Sequence, residues 1–398
     1  MEQRKLDVSE HGRTRSLWEE VFSEDTKTFL DYYYFLKTRD NEIYVIDEDG
    51  ETRSMLHLNP YRLQVEKERF QAHYIVGVAT KEEYRGRGYM RRLLLQAMEE
   101  MYRRREWFTF LMPAAEEIYT PYDFQFVYAQ EQSMLRILEH TETIETAKSP
   151  GQAELIHSSE MLRAAETVTC MDATLGDAGE LADFFETQSV GRWQVYTVRD
   201  EQYYQRQILE QQSENGGIRI LRAQGRIVGS FLYSREGDTE VLEPLYLPEY
   251  ETCFQKAVRE LAGDGQKTVK LYAANQPDSK PTPLIMARVL HPERILAAMR
   301  VKEGCTLNCS FAVLDTFLLQ NNRIWRISSA AGDDSKVHVQ ETEDSEGVLP
   351  IAALTCLLFG SRTIADIENE DGVIMSPHLK EELAKLQPLS GVFLNEIV

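Results

Sequence analysis

Apolar positions along the chain change rhythm between helical and alternating spacing. Leu17, Val21 and Phe22, then Phe29, Tyr32, Tyr33 and Leu36, fall at helical spacing. They predict two helices broken near residues 23–25, where Ser or Asp can cap the second. NEIYVIDEDGETRSMLHL alternates around Asp49-Gly50, a turn-forming pair, and predicts two strands. QAHYIVGVAT predicts a third strand. A helix follows from about Gly88 to Arg105, then a buried strand in WFTFLMPA, a short helix in EEIYTPYDF and a closing strand in FVYAQEQSMLRIL.

Residues 139–154 are polar, carry Pro and Gly, and read as a linker. Beyond them the first order returns. Helical patterns in GELADFFETQS and DEQYYQRQILEQQ precede strands in GIRILRAQ, RIVGSFLYSR and EVLEPLYL, a helix in YETCFQKAVRELAG and a strand in KTVKLYAA. A second, Pro-rich break spans 274–283. The last segment predicts a helix from about Pro292 to Met299, then strands in CTLNCSFAVLD, NRIWRISS and SKVHVQET. An apolar helix closed by Gly360 and a helix in PHLKEELAKLQPL complete it. The tail, SGVFLNEIV, leans apolar where termini are normally polar, so it is expected to pack against something. The expected fold class is α/β (α+β), in three domains at 1–145, 150–283 and 284–398, each long enough for its own core.

Composition narrows the function classes. Hydrophobic residues at 42% and charged residues at 27% of the 398 are ordinary for a soluble globular chain. There is no run of about 18 apolar residues for a membrane span, and the opening MEQRKLDVSEHGRTR lacks the apolar centre of a secretory signal. The five Cys are scattered without a CxxC pair, so neither a metal site nor a disulfide framework is expected, and a reducing cytoplasm fits best. Lys plus Arg number 44 against 65 Asp plus Glu, a formal charge of -21. That balance argues against nucleic acid and suits cationic small molecules or basic protein tails.

Against that acidity, residues 76–107 hold three Gly and seven Arg. Arg85-Gly86-Arg87-Gly88-Tyr89-Met90 falls between a strand and a helix. Glycines there let backbone approach a ligand, and the free N–H groups at a helix start attract phosphate. Arg85, Arg87, Arg91 and Arg92 add cationic side chains. A tight turn before a basic helix face would look similar. The pattern lacks the Gly-Lys-Ser/Thr of a Walker A loop and the GxGxxG of dinucleotide folds.

VGVATKEEYRGRGYM resembles the cofactor motif of the GNAT acetyltransferase superfamily, Arg/Gln-x-x-Gly-x-Gly/Ala, with Met90 where Gly or Ala is usual. The resemblance implies acetyl-CoA as co-substrate, with no metal. Its pyrophosphate would lie on Arg85, Gly86, Arg87, Gly88, Tyr89, Met90 and Arg91, and Val78, Ala79 and Thr80 would flank its pantetheine and acetyl groups. IYTPYDF resembles the superfamily's Tyr-x-x-x-Gly-Phe element, with Asp123 in place of Gly. In that register Tyr119 is the general acid that protonates the leaving thiolate.

The whole chain is similar to the enhanced intracellular survival (Eis) acetyltransferases. That implies tandem GNAT folds, each a mixed central sheet flanked by helices, the second lacking the cofactor loop. A sterol-carrier-like α+β domain comes after them. It also implies that the C-terminal carboxylate, here Val398, enters the active site as general base, and that the chain assembles as a homo-oligomer, a hexamer by resemblance. A primary amine of an aminoglycoside, a polyamine or a lysine is the implied acceptor, with Glu24 and Glu396 as candidate carboxylates to collect it. A lysine acetyltransferase acting on a basic partner protein, or an apolar-ligand binder built on the third domain, are the competing readings. No membrane or nucleic-acid partner is expected.

Overall fold

The computed structural model describes residues 1–136, 168–235, 238–263, 268–273, 279–329 and 336–396. The linker expected at 139–154 lies outside the described residues, as do 274–278 of the second break. Two compact units emerge. One comprises Met1–Ala129, Gly191–Val198 and Pro283–Val398, and the other Gln130–Val190 and Arg199–Thr282.

In the first unit, strand β1 (Glu2–Lys5) leads to helices α1 (Arg15–Val21) and α2 (Lys27–Phe35). The cap of α2 is Thr26, whose hydroxyl accepts the Phe29 N–H at 3.1 Å, rather than Ser23 or Asp25. Strands β2 (Glu42–Glu48), β3 (Glu51–Val65) and β4 (Glu68–Thr80) form a meander, with Asp49 (φ 55°) and Gly50 (φ 79°) making the first turn. β3 runs seven residues past Leu58, where the alternation had pointed to an end, and it passes through Pro60. Pro60 is tolerated because it falls between two ladders, β2 ending at Leu58 and the strand Val195–Thr197 starting at Leu63.

Helix α3 (Tyr89–Arg103) buries Leu93, Leu94, Ala97, Met98 and Met101 on the sheet, a stripe at 3.6-residue spacing. Strand β5 (Phe108–Leu111), the single turn α4 (Glu116–Tyr119) and β6 (Gln125–Arg136) come next. The sheet order is β1-β2-β3-β4-β5 and then the strand Lys280–Val289, antiparallel except for β4 with β5. The rest of the unit holds a five-stranded sheet ordered 338–342, 324–328, 308–314, 347–350, 374–375. On it packs the apolar helix Ile351–Phe359, ended by Gly360 at φ 67°.

The second unit has helices Ala178–Ser189 and Glu201–Ser213 and a sheet of 133–136, Thr268–Tyr272, Glu240–Tyr246, Arg226–Ser234, Gly217–Ala223 and Val168–Asp172. Its one parallel pair, 240–242 with 270–272, flanks the helix Glu251–Ala262. That helix is entered through Pro248–Tyr250, with no glycine-rich loop. Among the described residues no helix is long and apolar enough to cross a membrane.

Candidate active site

The site begins where two strands part. β4 and β5 share the register pair Tyr74↔Phe110 and then diverge. From Ile75 to Thr80, β4 keeps β3 on one edge, and among the described residues no strand pairs with its other edge. Val76, Val78 and Thr80 are half-buried there, while Ala79 is covered. The β3–β4 register slips between Met55 and His57, opposite Gly77 at φ 58°. A Cβ on Gly77 would stand 2.4 Å from Cζ3 of Trp18, so this bulge needs glycine both for its backbone and for its space.

β4 empties into the arginine-glycine loop. After the 3-10 turn Glu82–Tyr84, Gly86 (φ 75°) and Gly88 (φ 76°) take left-handed conformations, and Gly88 is the N-cap of α3. The Arg85 N–H is satisfied by Glu82 O at 3.1 Å and that of Arg92 by Gly88 O at 3.2 Å. Between them, the N–H groups of Gly86 to Arg91 have no acceptor among the described residues. Six consecutive amides at the positive end of a 15-residue helix are thus left without an acceptor, where a helix dipole favours negative charge. A Cβ on Gly86 or Gly88 would meet nothing within 4 Å, so the surface is open.

Arg85 and Arg87 are exposed around the loop. Nε of Arg85 donates to Thr80 O at 3.3 Å, and the Arg87 guanidinium lies 4.4 Å from the Tyr84 ring centre. Arg91 rests 5.3 Å over Phe317. Arg92 instead turns to the sulfur of Met1, away from the loop. Tyr89 is anchored by donating its hydroxyl to Glu48.

Tyr119 is 7% exposed and packed edge-on to Phe124 at 5.9 Å. Val78, Tyr84 and Met90 pack against the apolar core cluster to which Tyr119 itself belongs. Its hydroxyl has no hydrogen-bond partner among the described residues. Burial pushes its pKa up to about 12, which keeps it protonated at neutral pH. Asp123 sits four residues on at φ 65°, a backbone shape that explains why glycine is usual at this position. Tyr74 is buried beside it. Its hydroxyl accepts the Met112 N–H at 3.2 Å, and its pKa is raised by burial first and then by Tyr61, Glu396 and Tyr119.

The tail reaches Tyr74. Val392–Phe393 pairs in parallel with Val195 and Tyr196, Gly391 O accepts N–H groups of Gln194 and Val195 at 2.7 and 3.0 Å, and Phe393 stacks on Trp193 at 4.2 Å. Leu394, Asn395 and Glu396 are buried in turn. Glu396 thus lies close enough for its charge to act on Tyr74. Val398 lies outside the described residues.

Residues 2–127 match the acetyltransferase (GNAT) domain family, and residues 292–393 match the sterol carrier protein domain family. This chain carries a GNAT acetyltransferase domain. Its whole length is similar in fold to solved structures. A conserved protein of Enterococcus faecalis V583, described as a probable N-acyltransferase, is 16% identical with a TM-score of 0.77, covering 100% of this chain and 99% of its own. A GCN5-related N-acetyltransferase of Anabaena variabilis is 13% identical, with a TM-score of 0.76 and 99% of both chains covered. Eis1 of Mycobacterium abscessus is 16% identical with a TM-score of 0.69, covering 98% of this chain and 100% of its own. No curated protein matches the sequence.

On the face of the GNAT sheet opposite α3, Trp18 sits on Gly77 and packs against His57, Tyr33 and Phe22 with ring centres 4.7–5.3 Å away. Its Nε1 donates to Asp25 at 2.6 Å. Asp25 is half-buried and its pKa is raised by burial, while Glu24, the carboxylate singled out from sequence, is exposed beside it. Asp25, Tyr74 and the Val195–Thr197 strand are the features that sequence reasoning passed over. A helix carrying Trp18, with the paired carboxylates Glu24 and Asp25 after it, was the available signal for Asp25. For the three-residue strand the signal was the β-prone run WQVYTV, too short to stand out.

Proposed function

We propose that the chain transfers an acetyl group from acetyl-CoA to a primary amine of a small cationic acceptor. The observation that carries the reading is the unpaired edge of β4 running into six amides without an acceptor, with a protonated, unpartnered phenol in the apolar core against which Val78 and Met90 pack. The amides of Gly86 to Arg91, with Arg85 and Arg87 around them, receive the pyrophosphate. The exposed edge of β4 at Val78–Thr80 hydrogen-bonds the pantetheine arm and polarises the thioester carbonyl.

The acceptor's ammonium first gives a proton to a carboxylate. The neutral amine then attacks that carbonyl, the N–C bond forms, and the C–S bond breaks. The sulfur takes its proton from the Tyr119 hydroxyl, and the second proton leaving the nitrogen restores the phenol. By resemblance that carboxylate is the α-carboxylate of Val398. An α-carboxylate, ordinarily near ~3.5, becomes a better base where burial raises its pKa. Tail burial through Glu396 supports this reading. Asp25 and Glu396 serve the acceptor's other positive charges, with Glu24 at the entrance. Transfer to amines, the cytoplasmic setting and assembly into a homo-oligomer belong to the same proposal. Calorimetric titration with acetyl-CoA tests the binding half: binding weakened about tenfold by Gly88→Ala, ~1.4 kcal/mol, supports it, and no binding by the wild-type chain overturns it. Sedimentation as a clean monomer would remove the assembly.

A second reading, apolar-ligand binding by the sterol carrier segment, is supported by a cavity of about 330 Å³ lined by Leu296, Met299, Leu354, Leu357, Leu383 and Leu386. Native mass spectrometry of the purified chain distinguishes the two: a co-purifying lipid favours the second.

A further inference from the structure

The Tyr119 element is too short to orient its own side chain. Glu116–Tyr119 is a single helical turn, and an isolated turn is unstable in water. The residues after it are held from outside. Thr120–Tyr122 forms a 3-10 turn closed by Asp123 in the left-handed region, and this turn rests on Arg288, from the strand Lys280–Val289.

Arg288 is wholly buried. Its Nε donates to the Tyr122 carbonyl at 3.0 Å, one terminal nitrogen to Val289 O at 3.2 Å, and the other to Asp315 Oδ1 at 2.6 Å. That last nitrogen also lies 3.5 Å from Asp123 Oδ2. Asp315, equally buried, accepts the N–H groups of Phe317 and Leu318 at 2.9 and 2.8 Å and the Asn321 amide at 2.9 Å. The loop fixed in this way sets Phe317 5.4 Å from the Tyr122 ring and 5.3 Å beneath the Arg91 guanidinium. One buried ion pair, contributed from far along the chain, therefore touches the turn behind Tyr119 and, through the Phe317 ring, reaches the first turn of α3.

Stability alone does not account for it. Apolar residues of similar volume commonly replace a buried ion pair at no loss. What they lack is direction: a guanidinium holds several acceptors in one plane at fixed angles.

We propose that Arg288, held by Asp315, is a positioning residue for Tyr119, fixing the Tyr122 carbonyl and so the angle at which the phenol meets the leaving sulfur. This rests on the reading of Tyr119 as general acid. Arg288→Lys keeps the charge, but an ammonium cannot hold Tyr122 O and Asp315 in one plane. The expected result is a kcat lower by roughly ten- to a hundredfold, the size of effect that a displacement of about 1 Å produces. The KM for acetyl-CoA stays within about twofold, since only the transition state is affected.

The decisive readout is a double-mutant cycle with Tyr119→Phe. In the Phe background, Arg288→Lys costs nothing further, because the group it orients has gone. Equal losses in both backgrounds, or wild-type turnover by Arg288→Lys, overturn the proposal while a slow Tyr119→Phe enzyme leaves the general acid standing. Full turnover by Tyr119→Phe alone removes the general acid and this proposal with it. Asp315→Asn, isosteric and still able to accept the loop N–H groups, carries the same cycle if circular dichroism shows Arg288→Lys unfolded.

Discussion

Gly77→Ala isolates the backbone requirement at the heart of the site. The new methyl would sit 2.4 Å from Cζ3 and 3.1 Å from Cε3 of Trp18. Trp18 has little room to yield, with its Nε1 on Asp25 at 2.6 Å and its ring wedged among Phe22, Tyr33 and His57. Overpacking of this kind costs about 1–3 kcal/mol. A non-glycine residue at φ 58° adds about 1–2 kcal/mol. The sum, about 2–5 kcal/mol, corresponds to a melting point lower by roughly 5–20 °C for a unit of this size. The natural control is Gly50→Ala. Gly50 is also left-handed, at φ 79°, but a Cβ there meets nothing within 4 Å, so only the backbone cost of about 1–2 kcal/mol remains. Thermal melts by circular dichroism, with acetyl-CoA titrated into each variant, read both effects. Gly77→Ala should melt well below Gly50→Ala and also lose transfer, because the bulge it disturbs lies on the acetyl side of β4. Equal melting points for the two variants would refute the crowding argument.

Three further outcomes rest on named groups. Gly88→Ala should weaken acetyl-CoA binding about tenfold, ~1.4 kcal/mol, while the free protein loses only about 1 kcal/mol of stability, checked by titration and melting side by side. His57 is fully buried and neutral, its pKa depressed to about 3 first by burial and then by His11, against an ordinary 6.5. The unfolded chain therefore takes up a proton below 6.5 that the folded chain refuses until about 3. Stability from this group falls as pH drops through that window, by about 2 kcal/mol at pH ~5, and the pH slope of the urea midpoint should flatten in His57→Gln. Removing Val398 moves the terminal carboxylate by about 3.5 Å, and should slow transfer about a hundredfold or more with acetyl-CoA affinity unchanged. Unaltered turnover would dismiss the terminal base.

Much of this was legible in the chain because local signals agreed with the fold. The β4 strand, the loop and α3 announced themselves through a small-residue strand end, two glycines and an apolar stripe at helical spacing. The short helix expected before Thr120 formed at Glu116–Tyr119, and the tail is packed through Glu396. Elements whose existence depends on distant partners did not show. Glu2–Lys5 is polar and is a strand only because β2 pairs with it. The prolines of Lys280–Val289 disguised a strand that pairs with β5 from Met286 onward. Arg288 did leave a trace that was passed over: a single charge inside the apolar run LIMARVL, where a buried arginine has to be paired.

The central claim is transfer of acetyl to an amine. The most direct measurement is CoA release from acetyl-CoA, monitored with a thiol reagent, across aminoglycosides, polyamines and lysine peptides. The account predicts turnover with polycationic small amines, and its loss in Tyr119→Phe. Acetyl-CoA bound but no thiol released with any amine would contradict it.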